Sequence, residues 1–262
     1  MTRSLCFTVD TDRDVNECVP GRKEAVSLRS ENARFTSSET GTNIILDLLD
    51  EMGIKATFFA EARTLENISV SFGKNEVAMH GLDHEDMTGE VSGIPLNEDE
   101  LYDIMETSAK IIKERTGTAP KGFRAPYMRI NETITNILPK FGVRYDSSLY
   151  ADLKDTMYPY DLGNGVKEIP VPVGRDNNGK KIFAYLWPMH EGLREHNEYA
   201  EMANTVKEGV LTIATHSWHI TESISGGVMN EARKQENIGN VRKLLTSVLD
   251  SGYKAVTMSE LL

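Results

Sequence analysis

Short apolar runs that stop abruptly at an acid, a histidine or an arginine recur along this chain, and longer stretches with helical spacing separate them. Leu5-Cys6-Phe7-Thr8-Val9 is apolar and β-branched enough to form a buried strand, and it ends at Asp10-Thr11-Asp12. Ser37-Ser38-Glu39-Thr40 supplies helix-start residues before the periodic stretch 43–52, and Gly53 supplies the stop. Residues 54–60 then read as a buried strand, so the first unit is strand, helix, strand. Glu76-Val77-Ala78-Met79 runs into His80. A long helix is predicted over about 98–115, ended by Thr116-Gly117, and Lys121-Gly122-Phe123 leads to Arg124, where Pro126 forbids continuation of regular structure. A helix near 132–138 precedes a strand at 143–146. Another near 198–207 precedes the strand 210–216, which delivers His216, and a last helix covers about 230–249. Alternation of this kind predicts an α/β fold with a parallel sheet and right-handed crossovers. Residues 151–198 break the rhythm with Tyr158-Pro159-Tyr160, Gly163-Asn164-Gly165, Pro170, Pro172 and Asp176-Asn177-Asn178-Gly179. They suggest hairpins and loops around a strand at 167–171 that shape access to a site.

In open or barrel-like parallel sheets, ligands bind at the C-terminal edge of the strands, which is where these reactive side chains fall. His80 and His84 are the most informative of them. If the chain turns into a helix after Met79, the i, i+4 spacing puts both imidazoles on one face, close enough to share a metal ion. Alone the spacing is weak, because such pairs also arise on solvated helix faces. Neutral imidazoles suit zinc and its first-row neighbours, and two histidines with one carboxylate leave positions open for water and substrate, the mark of a catalytic site. Residues two apart on a strand point the same way, so Asp10 and Asp12 can both enter the site. One can complete the ligand set while the other takes a proton from water. The spacing leaves the assignment open, and aspartates here also suit capping of a loop or a helix start. Asp14 lies two further on, in a stretch whose direction the sequence does not specify. His190, His196 and His219 carry no motif and read as bystanders, His219 being the best placed of the three.

The 262 residues, 39% hydrophobic and 26% charged, describe an ordinary globular chain, and one domain over 1–262 accommodates them. No stretch approaches the length of a transmembrane helix. The first strand begins within about five residues of Met1, without the pattern of a signal peptide, which points to the cytoplasm. Cys6 in a core strand and Cys18 in a loop do not form a disulfide framework. A formal charge of −11 argues against a nucleic-acid substrate and against simple attraction to anionic lipid. Nothing in the sequence excludes assembly into a homo-oligomer.

Taken in order, Asp10-Thr11-Asp12, His80-Gly81-Leu82-Asp83-His84, Arg124-Ala125-Pro126-Tyr127, Asp146-Ser147-Ser148-Leu149-Tyr150 and Thr212-Ile213-Ala214-Thr215-His216 resemble the five motifs of the polysaccharide deacetylase family, carbohydrate esterase family four. The resemblance spans essentially the whole chain and implies a distorted (β/α) barrel. It implies Asp12, His80 and His84 as ligands of a divalent transition metal, zinc foremost and otherwise cobalt or nickel. Asp10 would then be the general base and His216 the general acid. Arg124 would orient and charge-balance Asp10, Asp146 would brace Arg124, and the Tyr127 amide would help hold the oxyanion. The first motif departs from the adjacent aspartates of most members and is similar to an Asp-x-Asp subset related to allantoin-type amidases and to signal-less peptidoglycan deacetylases, in which the second aspartate is the ligand. Tyr150 stands where the fourth motif usually has tryptophan, so Trp218 or Trp187 is expected to wall the acid histidine instead. The activity implied is removal of an N-acyl group, most often acetyl, from an amino-sugar substrate. Amidases of small linear or cyclic amides, deformylases of lipid-linked amino sugars and acetyl esterases of xylan stand beside it in the family.

Overall fold

The computed structural model describes residues 3–262; Met1 and Thr2, the first residues of the expected 1–262 span, lie outside the described residues. Ten strands carry the argument: β1 (Arg3–Thr11), β2 (Thr57–Ala60), β3 (Glu76–Met79), β4 (Gly122–Phe123), β5 (Tyr145–Asp146), β6 (Tyr150–Asp152), β7 (Lys167–Glu168), β8 (Val171–Arg175), β9 (Lys181–Phe183) and β10 (Glu208–His216). The main sheet runs β7-β5-β4-β3-β2-β1-β10, with all of these neighbours parallel. Helices α1 (Thr36–Glu51), α2 (Glu98–Thr116), α3 (Glu132–Ile137), α4 (His196–Thr205) and α5 (Glu231–Asp250) pack on its outside. Among the described residues no helix is long and apolar enough to cross a membrane.

The strand period of two sorts β1 into two faces. Leu5, Phe7 and Val9 join the large core beneath the helices, while Cys6 joins Phe59, Ala78, Tyr145, Ile169, Val210 and Met258 in a smaller cluster inside the curl of the sheet. Continuing that inward parity along β1, β3, β4 and β10 brings Asp10, Asp12, His80, Arg124 and His216 to one edge, and Asp10 lies directly opposite His216 in register. Closure of the distorted barrel falls to the irregular segment. β8 pairs with β6 and β9, and the residues after β9 reach β10: the Ala184 amide donates to the Pro172 carbonyl, the Leu186 amide to the Ala214 carbonyl, and the Ala214 amide to the Ala184 carbonyl.

The predicted helices stand where their caps place them. α2 carries a complete capping box between Asn97 and Glu100 and ends at Gly117. α1 begins earlier than its serines suggested, at Thr36, and its cap comes from a distance. The Asp14 carboxylate accepts from the Ser37 and Ser38 amides at 3.1 and 2.7 Å, so Asp14 caps a helix rather than holding a metal. Gly41 lies where α1 meets the turn after β10, and a Cβ there would stand 1.9 Å from the Ser217 carbonyl oxygen. That turn is fixed further by Ser38 Oγ to Ser217 Oγ at 2.7 Å and by the Ser217 amide donating to the Asp10 carbonyl at 2.9 Å.

Candidate active site

Asp12, His80 and His84 are buried and offer ligand atoms that all lie within 4.8 Å of one another. His84 Nε2 is 3.2 Å from Asp12 Oδ2, near the separation of about 3.2–3.5 Å that two ligands take around a tetrahedral zinc. The chain does not become helical after Met79, as the i, i+4 reading supposed. It makes a bent loop in which Gly81 at φ 79° and His84 at φ 52° both take left-handed backbone. A helix would need neither, and the loop brings the rings to 4.8 Å instead. The Glu85 carboxylate accepts from the Leu82 and Asp83 amides inside the loop, and Arg13, itself paired with Glu61, grips Asp83 at 2.9 Å from outside.

The donor chemistry of this set fits a divalent cation. His80 Nδ1–H donates to the Arg124 carbonyl at 2.8 Å, which leaves Nε2 as the free lone pair. Burial holds His80 and His84 down to about 4, so both imidazoles are neutral near pH 7. Asp12 Oδ1 and His84 Nδ1 are buried with no hydrogen-bond partner. Burial pushes the Asp12 carboxyl well above its usual range, with Asp10 and Glu61 adding to the rise, and a cation is what such a carboxylate lacks.

Asp10 faces the same space with both oxygens engaged. Arg124 Nη1 donates to Oδ1 at 2.7 Å, and the Tyr185 hydroxyl donates to Oδ2. Burial alone would raise this carboxyl, but Arg124, then His80 and His216, and the Tyr185 hydroxyl outweigh it and bring it down to about 2. The expected brace from Asp146 to Arg124 is absent. Ser147 does that work, accepting from Nε on its carbonyl at 3.0 Å and from Nη2 on its hydroxyl at 2.9 Å, while Thr8 Oγ1 takes a further bond and the Phe59 ring lies 4.1 Å beneath the guanidinium. Strand parity explains the correction. Phe123 is in register with Asp146, so Asp146 shares the outward side of Phe123 while Arg124 and Ser147 share the inward one. Asp146 instead accepts from Ser148 Oγ at 2.6 Å, and that hydroxyl receives the Ala125 amide. Burial pushes both Asp146 and its neighbour Glu168 upward.

Tyr127 takes left-handed backbone at φ 59°, followed by Met128 at φ 57°, a conformation that costs roughly 1–2 kcal/mol per residue and gathers at functional sites. Its ring meets the His84 ring edge-on at 4.5 Å. His216 ends β10 with Nε2 3.8 Å from Asp12 Oδ2 and 3.3 Å from the Tyr185 hydroxyl. Trp218 stacks on it at 5.1 Å and 26°, supplying the wall that Tyr150 does not; Trp187 also lines the cleft. That cleft, about 600 Å³, is lined beyond His80, His84 and Asp10 by Tyr127, Tyr150, Phe183, Tyr185, Trp187 and Trp218 among others, and among the described residues its lining contains no lysine or arginine.

Sequence reasoning missed Tyr185. The signal was faint: an alternating stretch, Ile182-Phe183-Ala184-Tyr185, inside a segment read as loop. His219 is no bystander in packing terms, since its Nε2 meets Glu191 Oε1 at 2.8 Å and its ring stacks on Trp218 at 4.2 Å. His190 bonds Thr215 Oγ1 at 2.9 Å, and His196 opens α4 away from the cleft.

The distorted (β/α) barrel presents, at its strand ends and beside an open cleft, an Asp–His–His set that could hold a metal ion. Residues 22–145 match the family described as polysaccharide deacetylase, a match that supports a place for the chain in that family. It is 29% identical over 152 residues to a peptidoglycan deacetylase-like protein of Gibberella zeae, covering 55% of this chain and 43% of that one. Over 118 residues it is 29% identical to a peptidoglycan deacetylase of Helicobacter pylori, covering 43% and 38%. The matched stretches thus span about two fifths of those relatives. A Mycobacterium smegmatis crystal structure, described provisionally as a polysaccharide deacetylase, aligns over 98% of this chain and 93% of its own with a TM-score of 0.57 and 22% identity, a likeness of fold. The family match includes His80, His84, Arg124 and Tyr127; the places of Asp10, Asp12 and His216 rest on the geometry.

Proposed function

We propose that this protein is a metal-dependent hydrolase that removes an N-acyl group, acetyl foremost, from an amino-sugar substrate. The observation that carries the reading is the convergence of Asp10, the Asp12–His80–His84 set and His216 on one aromatic cleft. A divalent ion held by Asp12, His80 and His84 would supply Lewis-acid polarisation of the scissile carbonyl and acidify the attacking water. Asp10, kept ionised by Arg124, takes a proton from that water at Oδ2. The strained turn at Tyr127 sets the backbone beside His84, where the developing oxyanion needs a donor. His216 gives a proton to the leaving nitrogen, which an amide requires because its amine leaves poorly unprotonated. Exposed Tyr150, Phe183 and Trp187 offer faces on which neutral sugar rings pack. The absence of lysine and arginine from the cleft lining weighs against a substrate that presents phosphate next to the scissile bond. Names of relatives add support for acetylated cell-wall glycans as the place to begin.

The test is acetate release from N-acetylglucosamine oligomers and peptidoglycan fragments by protein stripped with chelator and then refilled with zinc, cobalt or nickel. Turnover that vanishes on stripping and returns on refilling is the expected result. Metal-replete protein that releases acetate from none of them, but ammonia from small cyclic or linear amides, would transfer the reading to the amidase branch.

A further inference from the structure

The Tyr185 hydroxyl touches both residues to which the proposed chemistry gives opposite proton transfers. It donates to Oδ2 of Asp10 and lies 3.3 Å from Nε2 of His216, with the two rings packed at 5.1 Å. Asp10 has little other outlet. Arg124 occupies Oδ1 at 2.7 Å, and Asp10 is only 2% exposed. A proton taken up at Oδ2 therefore meets a hydroxyl whose other neighbour is the acid histidine. Tyr185 is held for this task by the closing bonds of the barrel on either side of it, Ala184 to Pro172 and Leu186 to Ala214.

We propose that Tyr185 relays the proton from Asp10 to His216 within each turnover, an inference that rests on the hydrolase reading above. Water loses a proton to Asp10 Oδ2 as its oxygen bonds to the acyl carbon. Protonated Asp10 is then the donor to the Tyr185 oxygen, which frees the phenolic hydrogen to turn toward His216. The Asp10 proton passes to the Tyr185 oxygen while the phenolic proton passes to Nε2, leaving a carboxylate, a neutral tyrosine and an imidazolium. Nε2–H finally protonates the leaving nitrogen as the C–N bond breaks and its electron pair goes to nitrogen. Asp10 and His216 return to their starting states in the same cycle, with no oxidant, reductant or co-reactant consumed. His216 needs no proton from solvent, and Asp10 needs none removed by it.

The experiment uses Tyr185→Phe, which keeps the ring on His216 and removes only the hydroxyl, with metal content matched to wild type by elemental analysis. The expected result is a kcat lower by roughly 10²-fold, the low end of what one positioned proton transfer contributes, with KM little changed. Added imidazole should restore part of the rate in proportion to its concentration. In mixtures of light and heavy water, the wild-type rate should curve with deuterium fraction because several protons move together, and the variant should give a straight line. A variant as fast as wild type overturns the relay. So does a slow variant that ignores imidazole and keeps the wild-type isotope profile, since Tyr185 would then only orient its neighbours. If wild type releases no acyl group from any sugar or small amide, the hydrolase reading falls and the relay falls with it; an active wild type beside an unaffected variant removes the relay alone.

Discussion

The two sides of this active cleft are built by different means. On one side Asp10, Asp12, His80, Arg124 and His216 sit at or just past the ends of strands whose neighbours are parallel and buried, so an alternating backbone delivers each inward. On the other, Tyr150 comes from a short strand parallel to β8, Phe183 from one antiparallel to it, Tyr185 from an isolated bridge to β10 and Trp187 from a single helical turn, all in the irregular segment that closes the barrel. The proposed chemistry is carried by the regular side and the walls by the irregular one, with Tyr185 the point where the second reaches into the first. A slip of one residue in the Val173–Phe183 pairing would present Ala184 or Leu186 in its place. The regular side should therefore fail outright under substitution, and the irregular side by degrees.

The sharpest break is expected at the metal set. His84→Ala should lose at least the tenfold to hundredfold that disturbing a ligand's supporting shell costs, in metal affinity as well as in turnover, read by elemental analysis and acetate release. A variant with full metal and full rate would remove His84 from the centre. Next, Asp10→Asn should keep its metal and lose about 10²–10⁴ in kcat, because the amide cannot take the proton; an unimpaired rate would end the role of Asp10 as base.

A smaller effect is expected at the brace. Ser147→Ala and Arg124→Lys should each slow turnover, and the double variant should be less impaired than the product of the two, because lysine has no planar fork to present to Ser147 and Asp10 together. Asp146→Asn combined with Arg124→Lys should be closer to multiplicative. The opposite ranking of the two cycles would restore the Asp146 brace. On the irregular side, Phe183→Ala and Trp187→Ala should raise KM by about 2–10-fold, the equivalent of one aromatic contact, and leave kcat nearly intact. Large kcat losses there would erase the division between walls and chemistry.

The slightest effect concerns Glu191, which binds His219 and also the amide of Ile224, a residue that lines the cleft. The hydrogen bond from His219 leads the causes that hold its carboxyl down to about 2. A folded value below the unfolded one of about 4.3 contributes stability above that pH, and the contribution is lost as pH falls from about 4.3 toward 2. Urea melts of wild type and Glu191→Gln should therefore differ at pH 6 and converge by pH 2–3. A constant gap across that range would show that the ion adds nothing.

Much of the regular side was legible because hydrophobic period and punctuation act locally. α2 ends at Gly117, and the helix placed from about 230 begins at Glu231 behind an Asn230 cap. The strand before His80 was also visible, but the helix expected after it was not formed, since spacing of four residues does not distinguish a helical turn from a loop with two left-handed residues. Asp146 was assigned by motif to a contact that strand parity forbids. Ser147 could have been preferred had the Phe123–Asp146 register been known, and register is a long-range property that one strand's sequence does not carry. Tyr185 left only a faint signal for the same reason, because its place depends on three different segments meeting.

Gly41 shows how far such dependence extends. Scored by helix preference alone, α1 would gain about 1 kcal/mol from alanine at this position, and a procedure that improves helices one at a time would make the change. The new methyl carbon would enter the Ser217 carbonyl, one residue past His216 and hydrogen-bonded through its amide to Asp10. The surface helix thus acts as a gauge for the separation of the two groups proposed to transfer protons, and the set of residues that evolution or design can try at position 41 is bounded by the cleft rather than by the helix that contains it.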